Sequence, residues 1–470
     1  MKPVLTPEES ARLDAAAAER MDELMERAGY AVADAAIRMG AGYGSRVGVL
    51  AGKGNNGGDG YVAARQLRRR GVAVAVRAFG APRAGTAAER ALLDARAAGV
   101  AVAFDGAPPE VELVIDAVFG VGFHGRLPDD VAGVTEREAR VLAVDVPSGL
   151  DAGTGQVDGA AFTAERTVTF HTLKPGHLLG EGPERCGEVE VVDIGLVGGD
   201  SVFVVCEEAD APRPSRPRTA HKWSAGSVVV VGGSPGLTGA PLLTAEAALH
   251  FGAGAVTIFC PAGLQGVFAS LSPGVMSRGV GNGTHFAAGD AEEVLTAAQR
   301  FDVMVVGPGL GLSQEAFVHT LLAGWSGRLL VDADGLNALG GPAPLEARPA
   351  PTVLTPHAGE LARIIGGTAS WEAARDLAAK TATVVLFKGA PTFVLGDDTW
   401  AVTSGGSELA TIGTGDVLSG MVAALWGRGL DGATAARSGA YWHGRAGADL
   451  AQLGTVTAHR LSSHIGRFAW

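Results

Sequence analysis

The sequence has few cysteines, no excess of basic residues and no long apolar segment, and each of these absences excludes a class of protein. Cys186, Cys206 and Cys260 are far apart and form no CxxC pair, so we expect free thiols in a reducing compartment. The net charge of −12 argues against nucleic-acid and anionic-membrane partners. The amino-terminal MKPVLTPEESARLD has no apolar signal core, and the uncharged stretch 223–244 is too rich in Gly, Ser, Thr and Pro to span a bilayer. We therefore expect a cytoplasmic enzyme that binds neither membrane nor nucleic acid.

The chain of 470 residues is too long for one ordinary hydrophobic core, so we expect two or three domains. Its 70 glycines and 47% hydrophobic composition favour an α/β protein with many tight loops. A helix should begin at Thr6, with Pro7 in the first helical position and Glu9 completing a capping box. The next predicted helix has apolar residues at helical spacing, which favour core packing, with a subunit contact as the alternative: Met21, Leu24, Met25, Ala28 and Val32.

Short apolar runs separated by helical segments predict two doubly wound α/β domains. In the first half the runs lie at 47–52, 72–79, 113–120 and 141–149. In the second half they lie at 227–233, 255–260, 302–311, 328–335, 352–357 and 383–392. Several prolines and few apolar residues between the halves are typical of a linker. We predict a domain at 1–205, a linker at 206–220 and a domain at 221–470, with ligands beyond the carboxyl ends of the strands.

The stretch GKGNNGGDG (52–60) follows a predicted strand and contains GxGxxG, but a lone match is weak. The second strand ends in VRAFGAPR without the carboxylate that a redox dinucleotide site needs, and no Gly-Lys-Ser/Thr follows as in a P-loop. Instead, side-chain oxygens follow three strands, and oxygens without His or Cys suit a hard, plausibly monovalent, cation. The alternative is that Asp116 and Asp145 only cap helices or brace loops. The oxygen-bearing residues are Asn55, Asn56, Asp59, Asp116, Asp145 and Ser148.

The loop GVGFHGRL (120–127) offers glycine amides and Arg126, which together predict a phosphate clamp. The alternative for Arg126 is an ordinary surface charge. Lys174 in FHTLKPGH is another cation near a strand end, and the sequence assigns it no role.

In the second half, GTGDVLSG (413–420) places Asp416 at a glycine-rich helix start, which combines anion binding with a base. That combination is typical of a kinase, and a simple helix cap is the alternative for Asp416. KGAPT (388–392) offers Lys388 and backbone amides to a nucleotide. Asp332 and Asp334 are candidate ligands for a magnesium nucleotide, and His357 is either a site residue or a structural histidine.

The first-half motifs NNGGDG, DAVFGVGFHG and VDVPSGLD resemble the epimerase half of NAD(P)H-hydrate repair enzymes over residues 6–205. The resemblance implies a Rossmann-like three-layer α/β/α domain that interconverts the R and S epimers of the 6-hydroxylated nicotinamide ring. It implies that Asp145 is catalytic beside that ring, and that K⁺ is held by Asn56, Asp116 and Ser148. The implied dinucleotide contacts are Asn55, Asn56, Gly57, Gly58, Asp59, Gly120, Val121, Gly122, Phe123, His124, Gly125 and Arg126.

The second-half motifs HKWSAGSVVVVGGS, GPGLG, DADGLNAL, TPHAGE, KGAPT and GTGDVLSG resemble the ribokinase-like dehydratase half of the same enzymes over about 220–465. Ile412 stands where the family often has glycine. The resemblance implies a magnesium adenine nucleotide, ADP or ATP, and a catalytic Asp416 that deprotonates the ring hydroxyl as it is phosphorylated. The implied nucleotide contacts are Lys388, Gly389, Ala390, Pro391, Thr392 and Gly415, and the implied contacts with the hydrated dinucleotide are Ala255, Gly309, His357 and Asp416.

Three interpretations follow from these motifs. The first is a bifunctional repair enzyme that epimerises NAD(P)H hydrate and dehydrates the S form, and that forms a homo-oligomer. The second is a small-molecule kinase fused to a dinucleotide-binding domain, which would not need the first-half motifs. The third is a non-catalytic dinucleotide sensor, which would need neither Asp145 nor Asp416.

Overall fold

The computed structural model describes residues 1–106, 110–136 and 138–470. The chain divides into two compact units, a first unit of residues 2–203 and a second unit of residues 204–470 with Met1. Among the described residues, no helix is long and apolar enough to cross a membrane.

The first unit is a doubly wound parallel sheet in the order β4-β3-β2-β5-β6-β7-β8. The strands are β1 (Lys2–Val4), β2 (Arg46–Ala51), β3 (Ala73–Ala78), β4 (Ala101–Ala103), β5 (Leu113–Ala117), β6 (Arg140–Val144), β7 (Arg166–Phe170) and β8 (Glu188–Val192). The helices are α1 (Pro7–Ala16), α2 (Met21–Arg38), α3 (Asn55–Arg69), α4 (Ala87–Ala97), α5 (Asp129–Ala132) and α6 (Gly182–Arg185). The α/β class and the four predicted strands of this half are confirmed.

The first helices of this unit follow the local sequence signals. Thr6 Oγ1 accepts a hydrogen bond from Glu9 N at 3.2 Å and Pro7 is the first residue of α1. The second half of the capping-box prediction is wrong, because the Glu9 carboxylate accepts from Asp200 N at 3.0 Å instead. The apolar stripe of α2 packs into the core, as its spacing favours.

The second unit has a sheet in the order β12-β11-β10-β13-β14-β15-β16-β17-β18-β9, parallel as far as β16. Its strands are β9 (Phe203–Val205), β10 (Ser227–Val231), β11 (Ala255–Pro261), β12 (Met276–Val280), β13 (Val303–Val306), β14 (Arg328–Val331), β15 (Thr352–Leu354), β16 (Val384–Phe387), β17 (Thr392–Leu395) and β18 (Thr399–Val402). The helices are α7 (Gly239–His250), α8 (Gln265–Leu271), α9 (Asp290–Ala298), α10 (Glu315–Gly324), α11 (Asp334–Asn337), α12 (Ala343–Glu346), α13 (Ala358–Ile365), α14 (Trp371–Thr381), α15 (Thr414–Gly427), α16 (Gly432–Ala451) and α17 (Ala458–His464).

The run 383–392 was expected to form one strand, and this expectation is wrong. The chain turns back after β16, so that β17 and β18 pair antiparallel at the edge of the sheet. The turn at 388–391 places KGAPT at the carboxyl ends of the parallel strands, where ligands bind in such sheets.

The segment 206–220, predicted to be a linker, is in large part attached to the second unit. Val204 and Val205 pair with β18, and Cys206 and Ala211 are buried. The indole Nε1 of Trp442 donates to Ala211 O at 2.9 Å, and Arg213 Nη1 donates to Phe468 O at 3.1 Å. The Trp442 side chain thus satisfies a backbone carbonyl of this proline-rich segment, and the Arg213 side chain of the segment satisfies the carbonyl of Phe468. The first part of the segment is therefore an edge of the domain rather than a free tether.

Candidate active sites

A cavity of about 440 Å³ lies at the carboxyl ends of the strands of the first unit. Eight residues of the predicted site line it, namely Asn55, Asn56, Asp59, Gly120, Val121, Gly122, Phe123 and Asp145. The cavity also has lining residues that the motifs did not indicate, including Asp14, Met21, Leu24, Met25, His171 and Lys174. One wall is apolar and comes from α2, while the strand ends supply the polar groups. This composition is typical of a small-molecule site.

Asp116 and Ser148 lie against each other beneath the loop that follows β5. Ser148 N donates to Asp116 Oδ2 at 2.7 Å and Ser148 Oγ donates to Asp116 Oδ1 at 2.6 Å, while Ser148 Oγ accepts from Phe119 N at 2.9 Å. Asp116 is fully buried, and burial raises its pKa to about 6 despite these hydrogen bonds. Within the described chain, no cationic side chain hydrogen-bonds this carboxylate.

Asn56 lies beside the same loop. A Cβ added at Gly120 would stand 3.1 Å from Asn56 Oδ1 and 3.3 Å from Asp145 Oδ2, so only glycine leaves both groups undisturbed. The Asn56 amide nitrogen is buried without a hydrogen-bond partner among the described residues. Among the described residues, the Asp116 carboxylate without a cationic partner, the Ser148 hydroxyl and the side-chain oxygen of Asn56 form an oxygen-rich set that fits a hard monovalent cation.

Asp145 follows β6 in a strained backbone conformation. Its φ is +66°, and Val146 N donates to Val144 O at 2.8 Å across it, which makes a γ-turn. Asp145 N donates to Val168 O at 2.7 Å, and His177 Nε2 donates to Asp145 O at 2.8 Å. Strain of this kind persists only where neighbouring groups enforce it, and it is concentrated at functional sites.

The Asp145 carboxylate has two differently occupied oxygens. Oδ1 accepts from Lys174 Nζ and from Thr169 Oγ1, each at 2.8 Å. Oδ2 accepts one longer hydrogen bond from Val121 N at 3.2 Å. Burial opposes ionisation of Asp145, but the charge and hydrogen bond of Lys174 outweigh it and hold the pKa below its usual value. Asp145 is therefore a carboxylate anion in the cavity.

Asp59 and Asp14 also face this cavity, but their pKa values are raised, whereas that of Asp145 is lowered. The Asp59 side chain is buried and accepts no hydrogen bond within the part of the chain that the structure describes. Burial, with the negative charges of Asp145 and Asp14, raises the pKa of Asp59 well above its usual value. Burial likewise raises the pKa of Asp14. The raised pKa favours the protonated form of Asp59, which can donate a hydrogen bond to an oxygen of a ligand.

The other predicted first-half residues lie outside the cavity lining. Gly57 packs against the backbone, since a Cβ there would be 1.9 Å from Gly52 O, and Gly58 packs against Met25. His124 Nδ1 is 2.8 Å from Asp151 Oδ2. Gly125 has φ +82°, and Arg126 is exposed with Asp158 3.9 Å away. Their contacts with the dinucleotide stay predictions.

In the second unit, Lys388 lies within a group of carboxylates. Lys388 Nζ donates to Asp332 Oδ1 at 3.0 Å and is 3.8 Å from Glu360 Oε2. Ser419 Oγ donates to Asp332 Oδ2 at 2.7 Å, so both oxygens of Asp332 have protein partners. Asp332 consequently positions the ammonium, whereas the sequence suggested it as a metal ligand. Burial lowers the pKa of Lys388, but Asp332 and Glu360 outweigh this and raise it.

Asp416 is the third residue of α15, and Gly413, with φ +89°, occupies the N-cap position. Within the described part of the chain, no side chain makes a capping hydrogen bond at this helix start, so Asp416 does not act as a helix cap. Burial and the neighbouring Asp332 raise the pKa of Asp416 to about 7, although Lys388 acts in the opposite direction. A carboxylate with a pKa near neutrality is suited to accept a proton during turnover.

The TPHAGE and KGAPT loops are joined beside Asp416. Lys388 N donates to Pro356 O at 2.8 Å, and a Cβ on Gly415 would be 3.5 Å from Lys388 Nζ. His357 Nδ1 accepts from Gly359 N at 2.9 Å and caps α13, while its ring remains half exposed. His357 thus has a structural role through Nδ1, and its Nε2 lies 3.5 Å from Glu360 Oε1. The remaining members of the loop are Gly389, Ala390, Pro391 and Thr392, whose hydroxyl donates to Gly389 O at 3.0 Å.

Gly309 is also close to this group, but Ala255 is not. Gly311 N donates to Asp334 Oδ2 at 2.9 Å, which ties the GPGLG loop to the 332–335 segment. A Cβ on Gly309 would be 2.1 Å from Leu237 O, so this approach of two loops requires glycine. Ala255 pairs with Ser227 at the amino ends of β10 and β11, away from the carboxyl ends where Asp416 lies. Its predicted contact is not brought to the Asp416 site.

Magnesium has no preformed cage here. The described residues contain no group of three or more His, Cys, Asp or Glu side chains arranged to hold a metal ion. Asp332, Glu360 and Asp416 nevertheless act on the ammonium of Lys388, and Asp334 acts on Asp416, so negative charge is in excess among these residues. Asp334 and Asp416 fit a magnesium ion that arrives with nucleotide phosphates and takes few protein ligands.

Comparison with known proteins assigns a family to each unit. A family model described as NAD(P)H-hydrate dehydratase matches residues 228–467, and one described as the YjeF-related protein N-terminus matches residues 21–176. A relative from Moorella thermoacetica is 38% identical over 466 residues, which cover 91% of this chain and 88% of the relative. A relative from Mycobacterium leprae is 37% identical and covers 94% of this chain and 93% of its own length. Both relatives are named bifunctional NAD(P)H-hydrate repair enzyme Nnr.

A solved structure supports the fold of the second unit. A ribokinase-like superfamily protein from Enterococcus faecalis superposes with a TM-score of 0.51 and 22% identity. The match covers 57% of this chain and 95% of that structure. It establishes a ribokinase-like fold and nothing about ligands.

Proposed function

The chain belongs to the bifunctional NAD(P)H-hydrate repair enzymes, and we propose that its two sites divide the repair between Asp145 and Asp416. The family carries an epimerase and a dehydratase, so the alternatives of a kinase fusion and a dinucleotide sensor are set aside. The observation that supports the division is that each unit has its own aspartate with a shifted pKa beside a glycine-containing loop, and that a lysine acts on each: Lys174 is ion-paired with Asp145, and the charge of Lys388 acts on Asp416.

In the first unit, Asp145 is the base for epimerisation. Its anionic Oδ2 accepts the proton of the 6-hydroxyl group, the C6–N1 bond breaks as the C6=O bond forms, and N1 takes up a proton. Rotation and reclosure on the other face then invert C6. Asp59, whose protonated form burial favours, hydrogen-bonds an oxygen of the substrate. The apolar wall of α2 excludes water from the opened ring.

We propose that Asn56, Asp116 and Ser148 hold potassium in this unit. The bound ion would supply the positive charge that the buried Asp116 lacks. Asp116 and Ser148 are fixed to the loop at 118–123, so this arrangement also holds in place the amides that face the substrate.

In the second unit, Asp416 is the base for dehydration of the S epimer. The ring hydroxyl loses its proton to Asp416 while its oxygen takes the terminal phosphoryl group of ADP or ATP. The amides at the start of α15 and Lys388 hold the phosphoryl oxygens. The lone pair of N1 then expels phosphate from C6, and loss of a C5 proton restores the double bond of NAD(P)H. Magnesium bound with the nucleotide would neutralise part of the phosphate charge, near Asp334 and Asp416.

Two finer points also stay proposals. The buried, free thiols of Cys186, Cys206 and Cys260 are consistent with work in the reducing cytoplasm. The chain is also proposed to form a homo-oligomer, and light scattering would measure its mass in solution.

The deciding experiment is incubation of a mixture of hydrated NADH epimers with the protein, Mg²⁺ and either ADP or ATP. We expect the absorbance of the reduced ring to return completely, because the R epimer is converted to S as S is consumed. Without nucleotide, a chromatographically purified epimer should equilibrate but not be dehydrated. Recovery of only the S fraction would contradict epimerisation, and phosphorylated hydrate as the final product would contradict dehydration.

A further inference from the structure

Lys174 is a buried lysine whose role neither the motifs nor the proposed chemistry explains. It is only 3% exposed, although it borders the cavity of the first unit. Burying an ammonium is costly unless it is paired and fully hydrogen-bonded. Its position therefore needs a reason beyond packing.

The ammonium of Lys174 has no hydrogen left for a ligand. Nζ lies 2.8 Å from Asp145 Oδ1, 2.8 Å from Thr169 Oγ1, 3.1 Å from Phe170 O and 3.3 Å from Thr172 O. An ammonium has three hydrogens, and these four acceptors surround it. Binding of a substrate phosphate by Lys174 would require breaking this arrangement, so direct substrate contact is not its function.

The segment that carries Lys174 encloses Asp145 from behind. After β7 the chain turns sharply at His171, which has φ +66° with Thr172 N donating to Phe170 O at 2.7 Å. Lys174 N then donates to His177 Nδ1 at 3.1 Å, while the opposite ring nitrogen of His177 donates to Asp145 O. One segment, residues 169–177, thus holds both the backbone carbonyl and the carboxylate of Asp145.

The two oxygens of Asp145 become inequivalent as a result. Oδ1 has two short partners that come from the protein interior. Oδ2 points to the loop at Gly120 and Val121, where it has one partner at 3.2 Å. Rotation of the carboxyl group would break both bonds to Oδ1. One carboxylate oxygen is therefore held by the protein interior while the other is held facing the cavity.

We propose that Lys174 is the positioning residue of the epimerase, which fixes the Asp145 carboxylate so that Oδ2 alone serves as the base. The inference rests on the proposed role of Asp145. Thr169 acts with Lys174, since its hydroxyl donates to Oδ1 and accepts from Nζ. A reactive oxygen that is held in place needs less reorganisation when the substrate arrives.

The test uses the full-length chain with potassium at saturation, and measures epimerisation of purified epimers across pH. Lys174→Met should lower kcat by about 10²-fold with KM within about threefold, because the base is misplaced while the binding groups remain. Its acid limb should move to higher pH, since the charge that keeps Asp145 ionised has gone. The other titratable groups facing Asp145 are unchanged in this variant: Asp14, Asp59, His171 and His177.

Two isosteric variants test whether a loss of activity comes from the lost hydrogen bond or from a folding defect. Thr169→Val removes the second donor to Oδ1 and should lower kcat about tenfold. Thr167→Val, two residues earlier on β7, removes an equally buried hydroxyl that donates to Cys186 O at 2.7 Å, and should leave kcat and the pH profile unchanged. Dehydration of the S epimer by the second unit, measured in the same samples, reports the active enzyme concentration.

The outcomes separate the inference from the proposed function. Wild-type kcat and an unshifted pH profile in Lys174→Met would overturn the positioning role, as would equal losses in Thr169→Val and Thr167→Val. A wild-type chain that does not epimerise at all would instead overturn the proposed function of the first unit.

Discussion

Asp416 shares the ammonium of Lys388 with two other carboxyl groups, those of Asp332 and Glu360, and this competition decides its chemistry. Asp332 takes the hydrogen bond of Lys388, so Asp416 stays without a hydrogen-bonded partner among the described residues and has a pKa of about 7. We expect Asp416→Asn to lower the turnover of dehydration by roughly 10²–10⁴-fold, because the base is removed while the shape is kept. Nucleotide binding, measured by calorimetry, should change little. Dehydration near the wild-type rate would show that another group takes the proton.

The same residue predicts a pH dependence of stability. The pKa of Asp416 is raised in the folded protein, so its contribution to stability is fully present at pH below about 4 and is lost as the pH rises through about 7. Asp416→Asn has no such loss. At pH 8 we expect its second unit to melt a few degrees above wild type, on the order of 3 °C, and the two to converge near pH 4. Parallel melting curves at both pH values would contradict the raised pKa.

Asp116 offers a corresponding test of the potassium proposal. Asp116→Ala removes the anionic member of the oxygen set and should lower epimerisation by about 10-fold or more at low potassium, with partial recovery at high potassium. Dehydration should be unaffected. Asp130→Ala, an exposed aspartate of the same unit, is the control. An Asp116→Ala enzyme that is fully active at every potassium concentration would remove the case for the ion.

At the scale of the elements, α15 brings Asp416 to its place by an unusually close approach to α7. A Cβ on Gly420 would be 2.2 Å from Thr244 O. Gly420→Ala should therefore separate the helices, destabilise the second unit by about 1–3 kcal/mol and displace Asp416, so that dehydration falls while epimerisation persists. Gly239→Ala, where α7 leaves the added Cβ free, is the matched control. Equal behaviour of the two variants in urea titration and in turnover would contradict this packing argument.

The sequence predicted strands correctly where the apolar pattern of the strand itself is a clear local signal. The runs at 47–52 and 113–120 became β2 and β5, because strands buried on both faces are apolar throughout. The strand β7 was not predicted, since RTVTF mixes charge and hydroxyl groups. The role of Lys174 depends on γ-turns at Asp145 and His171, and these arise from hydrogen bonds between distant segments. No spacing rule encodes such contacts.

At the scale of the whole molecule, the first part of the expected linker belongs to the dehydratase half. We expect a fragment of residues 204–470 to fold and to dehydrate only the S epimer, leaving the R epimer except for slow spontaneous epimerisation. A fragment of residues 217–470 lacks the strand beside β18 and the partners of Trp442 and Phe468, and should melt roughly 5 °C or more below the longer one.

Calorimetry of the two fragments shows whether residues 204–216 are part of the folded second unit or only a linker. Equal melting temperatures would mean that residues 204–216 add no stability. Consumption of both epimers at equal rates by residues 204–470 would mean that the two activities are not divided between the units.

The burial of the three cysteines has a practical consequence for spectroscopy. Burial raises the pKa of the thiols of Cys186 and Cys206 to about 12 and that of Cys260 to about 11, so all three are poor nucleophiles toward alkylating dyes at neutral pH. A cysteine introduced at Ile412, which is 95% exposed and adjacent to Gly413, would then be labelled selectively without removing any native thiol. Because the neighbouring Gly415 is a predicted nucleotide contact, we expect a fluorophore at this point to report the binding and release of nucleotide in real time.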